Sequence, residues 1–213
     1  VARVGTPGAC NPGGAGGMPG ACILSAGGPM QLQACALSLC LAWIGAAEPA
    51  RAQQKPAEPT PVPSVDLRSY LGKWYEIARL PRFYQRHCVG DSIALYTARG
   101  DKTIDVENSC RTKDGDTRTA RGTAEPVPGS NNAKLAVTFL PPFTGDYWII
   151  GLAPDYSWSV VGSPGRKSLW ILARAPQMPR GELDRAKAIA RAEGYAVDDL
   201  VYTPQSDAQP ATR

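Results

Sequence analysis

The sequence predicts an all-β domain: an eight-stranded antiparallel up-and-down β-barrel with one C-terminal α-helix packed outside it. Three observations lead there. From Val65 onward, short runs alternate apolar and polar residues between turn signals, the period-2 pattern of strands buried on one face. Gly72-x-Trp74 opens this region and Arg174 ends it, which fits a barrel shut at its base. Beyond Arg174 the apolar period becomes helical. A small closed barrel holds one small ligand or is filled by its own side chains.

The strands follow in order. Trp74 to Ala78 is the first. Ser92 to Ala98 and Thr103 to Cys110 are joined by the hairpin turn Arg99-Gly100-Asp101-Lys102, with Ile104 and Val106 on one face and Asp105 and Glu107 on the other. Thr117 to Ala124 follows the turn Lys113-Asp114-Gly115-Asp116. Lys134 to Phe139, Tyr147 to Leu152, Ser157 to Gly162 and Leu169 to Ala173 complete the set. Glu182 to Glu193 carries the stripe Leu183, Ala186, Ile189 and Ala190 at helical spacing, and Gly194 is a natural helix stop. Leu200-Val201-Tyr202 adds a short last strand. The barrel domain therefore covers residues 65–204, and residues 205–213 are expected to be a disordered tail.

The front of the chain reads differently. Residues 1–29 hold nine glycines, and Met30 to Ala47 is mostly apolar. Ala50-Arg51-Ala52 then resembles a signal-peptidase site, so residues 1–52 are expected to be an export segment cleaved after Ala52. Its n-region is weak, with Arg3 alone and distant, so Met18 and Met30 are alternative starts. The apolar run is short for a membrane span and contains Gln31 and Gln33. Residues 53–64, with four prolines between Gln53 and Pro63, read as an extended linker.

Four of the six cysteines, Cys10, Cys22, Cys35 and Cys40, fall in the export segment. Cys40 follows the bulky Leu39, and the apolar run continues past Cys35, so a soluble exported protein is favoured over a lipoprotein. Cys88 and Cys110 remain, an even number suited to one disulfide in an oxidising compartment. A hairpin centred between Gly100 and Asp101 sets Cys110 opposite Asp91, so a bulge or longer turn must bring it to Cys88. Loss of residues 1–52 leaves a formal charge of +3 with no run of like charge, which gives no case for a nucleic-acid partner.

Gly72-x-Trp74 with Tyr75-Glu76-Ile77-Ala78-Arg79, then Pro141-Pro142-Phe143, then Asp155-Tyr156, then Leu169-Trp170-Ile171-Leu172-Ala173-Arg174, at these spacings and followed by a helix, resembles the lipocalin family. The resemblance runs from about Val65 to Tyr202 and lies with the bacterial outer-membrane and apolipoprotein D-like branch. It implies a calyx of eight strands, plugged at one end by a helical turn and open at the other. It also implies that Trp74 lies under Arg174 at the closed base, a structural pair, with Gly72, Asp155 and Tyr156 beside it. The chain departs from the family pattern at Ala153-Pro154-Asp155-Tyr156, where many members have Thr-Asp-Tyr.

Alternation counted back from Arg174 gives the interior. Trp170 and Leu172 point inward, with Ala94, Tyr96, Val106, Asn108, Leu135, Val137, Phe139, Tyr147 and Ile149 on the other strands. A mostly apolar set with sparse polar groups suits a hydrophobic tail with one polar end. The expected ligand is a fatty acid or lysophospholipid, with Arg79, Arg82 and Arg86 as candidates to meet its charge at the mouth. The same residues also suit a packed, empty core.

No cofactor is expected, and the chain lacks H-E-x-x-H, C-x-x-C and acidic metal clusters. The single histidine, His87, reads as a loop residue, so the chain is read as a carrier and not an enzyme. It is expected in the periplasm, soluble or peripheral to the outer membrane. An isomerase-like enzyme using His87 and an envelope interaction protein without a lipid ligand stay open as alternatives.

Overall fold

The computed structural model describes residues 57–100 and 102–207. The export segment, its cleavage site, the first residues of the linker and residues 208–213 lie outside the described residues.

Nine strands form one antiparallel sheet: β1 (Gly72–Arg79), β2 (Cys88–Gly100), β3 (Thr103–Thr112), β4 (Thr117–Pro126), β5 (Lys134–Leu140), β6 (Phe143–Leu152), β7 (Trp158–Gly162), β8 (Leu169–Ala173) and the two-residue β9 (Val201–Tyr202). Each of β2 to β7 pairs with the next, and β1 pairs with both β8 and β2, which closes the eight-stranded barrel. The short β9 adds outside the ring, on the upper end of β1. Helix α1 (Leu67–Tyr70) precedes the barrel, and α2 (Arg180–Ala192) follows it.

Three strands begin earlier than the alternation indicated, β1 by two residues at Gly72, and β2 at Cys88 and β6 at Phe143 by four each. Gly90-Asp91 and Gly145-Asp146 look like turns in the sequence. In the fold Asp91, at φ 51°, lies in a stretch where the β2–β3 register shifts, while Gly145 pairs with Val137 in a part of the β5–β6 ladder that is regular from Lys134 to Thr138.

The buried side chains divide by face of the sheet. Inside the barrel, Tyr70, Trp74, Tyr96, Ile104, Val106, Leu135, Ile149, Val161 and Leu172 form one cluster. Outside it, Ala186 and Ala190 of α2 pack with Trp148, Ile150, Val160 and Ile171. Residues on one strand therefore serve two cores, the alternation expected of a sheet covered on both sides.

The segments at either end are tied down. The described part of the linker is extended, as its prolines favour, but hydrogen-bonded: Val62 N–H donates to Ile149 O (2.8 Å) and Thr60 N–H to Glu193 Oε2 (2.7 Å). Gln205 and Ser206, which the sequence places in a loose tail, are also anchored. Gln205 Nε2 donates to Glu76 O (2.9 Å) and Ser92 O (3.0 Å), and Ser206 Oγ donates to Asp91 Oδ2 (2.8 Å).

Candidate ligand cavity

The base is built from the first motif outward. Trp74 is 0 % exposed, and its Nε1–H donates to Tyr70 O (2.8 Å), locking α1 across the barrel end. The Arg174 guanidinium lies 3.8 Å from the Trp74 ring centroid, a cation–π contact. Its Nη1 donates to Lys73 O (2.8 Å) and its Nη2 to Ser69 O (2.7 Å), so one side chain joins α1, β1 and the end of β8. Gly72 is at φ 91°, where a side chain is strained, and Arg174 Nη1 would lie 3.4 Å from its Cβ. Tyr156 OH accepts from Asp66 N–H (2.9 Å), also linking base to plug. Asp155 instead accepts from Ser157 N–H (3.0 Å) within its own turn, and that bonding holds its carboxyl below the usual value.

Above the base lies a chain of hydroxyls. Tyr96 OH is 3.0 Å from Tyr147 OH, which is 2.8 Å from Tyr70 OH, which is 3.0 Å from Ser159 Oγ. Ser159 Oγ also lies 3.4 Å from Gly151 O, and either hydroxyl of each pair can be the donor. Burial pushes the Tyr70 phenol up to about 12 and those of Tyr96 and Tyr147 well above their ordinary range, so all three stay neutral.

A cavity of about 740 Å³ opens above this floor. Nine residues chosen by alternation line it: Ala94, Tyr96, Val106, Asn108, Val137, Phe139, Tyr147, Trp170 and Leu172. Leu135 and Ile149 face inward but lie in the packed interior below the cavity, not on its wall. Alternation distinguishes inside from outside; it does not give height.

The three arginines chosen for the mouth separate. Arg82 lines the cavity, donates to Lys167 O (3.0 Å) and lies 5.4 Å from the Tyr84 ring centroid. Arg79 is buried and does not line the cavity; its Nε lies 3.3 Å from Glu76 Oε1. Arg86 is exposed and also off the wall, beside His87, whose Nε2 is a long 3.4 Å from Arg86 Nε. His87 does not line the cavity either.

Sequence reading missed three parts of the wall. Glu76 is buried, accepts from Thr203 Oγ1 (2.6 Å) and Gln85 Nε2 (2.9 Å), and is pushed above the usual carboxylate value chiefly by burial. Gln85 also accepts from Trp170 Nε1–H (3.2 Å), which ties the mouth turn Phe83–Gln85 to the wall. The third is Arg118 on β4, which faces the cavity opposite Cys110. Alternation within β4 carried the signal, since Arg118 lies two residues before Ala120 on the inward row. At the rim, Phe83 (77 % exposed), Phe143 (73 %) and Leu140 (68 %) form an apolar edge.

Cys88 and Cys110 form a disulfide, with Cα atoms 5.5 Å apart. The register gap expected between them is closed by two shifts in β2, between Cys88 and Gly90 and between Gly90 and Ile93. Both cysteines lie on the cavity wall.

Comparisons with known proteins agree with this geometry. The model of the Lipocalin-like domain matches residues 65–205. Temperature-induced lipocalin-1 of Arabidopsis thaliana is 39 % identical over 157 residues, covering 70 % of this chain and 84 % of that protein. Outer membrane lipoprotein Blc of Vibrio cholerae is 36 % identical over 152 residues, covering 70 % of this chain and 88 % of that protein. Among solved structures, insecticyanin from the tobacco hornworm Manduca sexta superposes with a TM-score of 0.58 at 19 % identity, covering 72 % of this chain and 86 % of that one.

Proposed function

The chain belongs to the lipocalin family, and from that premise we propose that its cavity binds and carries an acyl lipid, a fatty acid or lysophospholipid, in the bacterial cell envelope. Family membership supports the coarser statement, binding or transport of a small hydrophobic ligand. The observation that carries the finer one is the cavity itself: about 740 Å³, walled by Val106, Val137, Phe139, Trp170 and Leu172, above a base held by Trp74 and Arg174. That volume and composition are those of a small-molecule site. Each methylene buried there contributes about 0.8 kcal/mol, enough over a long chain to exceed the cost of association.

The envelope location is supported by the Vibrio relative, named an outer membrane lipoprotein, and by the disulfide, which persists under oxidising conditions. The apolar rim of Phe83, Leu140 and Phe143 supports peripheral contact with the outer membrane. The function is read as carriage and not turnover, since His87 lies off the cavity wall.

The test is calorimetric titration of the protein with palmitate and with a lysophospholipid, beside a variant whose cavity is filled by Val137→Trp. Saturable binding at one ligand per chain, lost in the filled variant while the fold persists, is expected. Absence of saturable binding by the native protein, or equal binding by the filled variant, would refute the carrier.

A further inference from the structure

We propose that Arg118, with Asn108 beside it, forms the head-group site of the cavity, that the site takes an anionic single-chain amphiphile, and that the ligand's tail runs down to the tyrosine floor. This rests on the carrier reading and adds the ligand's charge, its orientation and the residues that hold it.

Four charged residues line the cavity: Glu76, Arg82, Arg118 and Asp146. Glu76 is ion-paired with Arg79 and hydrogen-bonded to Gln85 and Thr203. Arg82 is held by Lys167 O and lies over Tyr84. Asp146 pairs with Ala136 between Tyr147 and Gly145, and alternation turns its side chain away from the interior that Tyr147 faces. Arg118 is on the inward row with Ala120, and among the described residues it has no ion pair and no hydrogen bond. Arg82 likewise has no carboxylate partner among the described residues, but Lys167 O holds its guanidinium; Arg118 is the cavity cation with neither an ion pair nor a hydrogen bond there.

Asn108 is an independent second observation. It pairs with Ala120, one inward step from the Cys110–Arg118 pair, and it too lines the cavity with no hydrogen bond among the described residues. Diagonal positions of this kind lie about 7–8 Å apart at the backbone, within reach of long side chains. A guanidinium from one side and an amide N–H from the other can hold one carboxylate or phosphate oxygen pair.

The floor decides the orientation. The hydroxyls of Tyr96, Tyr147, Tyr70 and Ser159 are bonded to one another, and the three phenols are buried. An anion at the floor would find no cation among the lining residues there and would have to break a bonded hydroxyl chain, whereas an apolar chain end leaves it intact. From Ala124, buried at floor level, to Arg118 the inward row of β4 climbs roughly 20 Å along the strand. A charge at Arg118 thus leaves the tail the whole depth of the cavity.

The experiment is titration of native protein and of Arg118→Ala with dodecanoate, 1-dodecanol, lysophosphatidate and monoacylglycerol, at low and high salt. Expected is a preference of native protein for each anion over its uncharged counterpart. Arg118→Ala should lose about tenfold or more for the anions and less than twofold for the neutral lipids. Arg118→Lys should restore part of the preference, and Asn108→Ala should reduce it. The preference should shrink with salt. Loss for dodecanoate alone would assign a carboxylate, and loss for lysophosphatidate alone a phosphate. Equal loss for charged and neutral lipids, or a selective loss in Arg82→Ala in place of Arg118→Ala, would overturn the head-group site while leaving the carrier standing. Failure of the native protein to bind any of the four would overturn both.

Discussion

Arg174→Ala should open the barrel base, and its cost can be worked from three contacts. The guanidinium sits 3.8 Å from the Trp74 centroid, an interaction of about 0.5–2 kcal/mol. It also donates to two carbonyls, Lys73 O and Ser69 O. Hydrogen bonds from a charged donor contribute about 1.5–3 kcal/mol each when buried, and considerably less for a side chain that water still reaches, as here. Together these give a loss of roughly 2–3 kcal/mol, or about 1 M in urea midpoint for a domain of this size. Urea unfolding of the oxidised protein, followed by tryptophan emission and by far-ultraviolet circular dichroism, measures it. Trp74 is 0 % exposed, so the folded variant should also emit at longer wavelength as water reaches the indole. Arg174→Lys should fall between, because it keeps the charge but cannot span both carbonyls with a planar fork. A loss below about 0.5 kcal/mol, or a lysine variant equal to the native protein, would show that the base is held by α1 packing alone and not by the arginine.

Three further outcomes are expected. Replacing Cys88 and Cys110 by serine frees a loop of sequence separation 22 and should cost about 3 kcal/mol by urea unfolding; a loss under 1 kcal/mol would show that the β2–β3 ladder already restrains the unfolded chain. Burial raises the Glu76 pKa, so between the ordinary carboxylate value and the folded one the native state holds a proton that the unfolded state has released. Stability from this group is therefore full below the ordinary value and falls as pH rises through that window. The native urea midpoint minus that of Glu76→Gln should decline with pH there, and a rising difference would reverse the assigned cause. Phe83→Ser with Phe143→Ser should lower co-sedimentation with phosphatidylethanolamine–phosphatidylglycerol vesicles at least fivefold, since each exposed ring offers about 1.5–3 kcal/mol of burial; unchanged co-sedimentation would remove the rim from any membrane contact.

The barrel was legible because its inner face is mainly apolar and its outer face is apolar chiefly where α2 covers it. Ile104 and Val106 face the inner core while Asp105 and Glu107 face water, and on β7 and β8 both faces are apolar because α2 covers the outside. Alternation survives wherever the two sides of a strand meet different solvents. It failed where the chain changes its own period. Gly90-Asp91 and Gly145-Asp146 carry turn residues inside strands, one within a register shift and one in paired positions next to one, and local chemistry cannot separate those cases. The ends failed for a different reason. Gln205 and Ser206 are ordered by partners on β1 and β2, more than a hundred positions away in sequence, and no local pattern records them.

The site was half legible for a reason built into barrels. Period 2 fixes which residues face inward, and nine of the eleven interior choices reach the cavity. Height along the axis depends on stagger between strands, which is a property of the closed sheet and not of any one strand. Leu135 is paired with Tyr147, yet Tyr147 lines the cavity and Leu135 does not, so even partners in register differ. The arginines show the same limit. Arg79, Arg82 and Arg86 are neighbours in sequence, but a register shift after Glu76 and the Phe83–Gln85 turn send them to a buried pair, the cavity wall and the outer surface. Arg118 was recoverable from Ala120 by one step of alternation. Its charge masks that step, because a charged residue in a strand ordinarily belongs to the wet face. In an open barrel the inside of the mouth is also wet, so an inward charge there meets no desolvation penalty until a ligand arrives to share it.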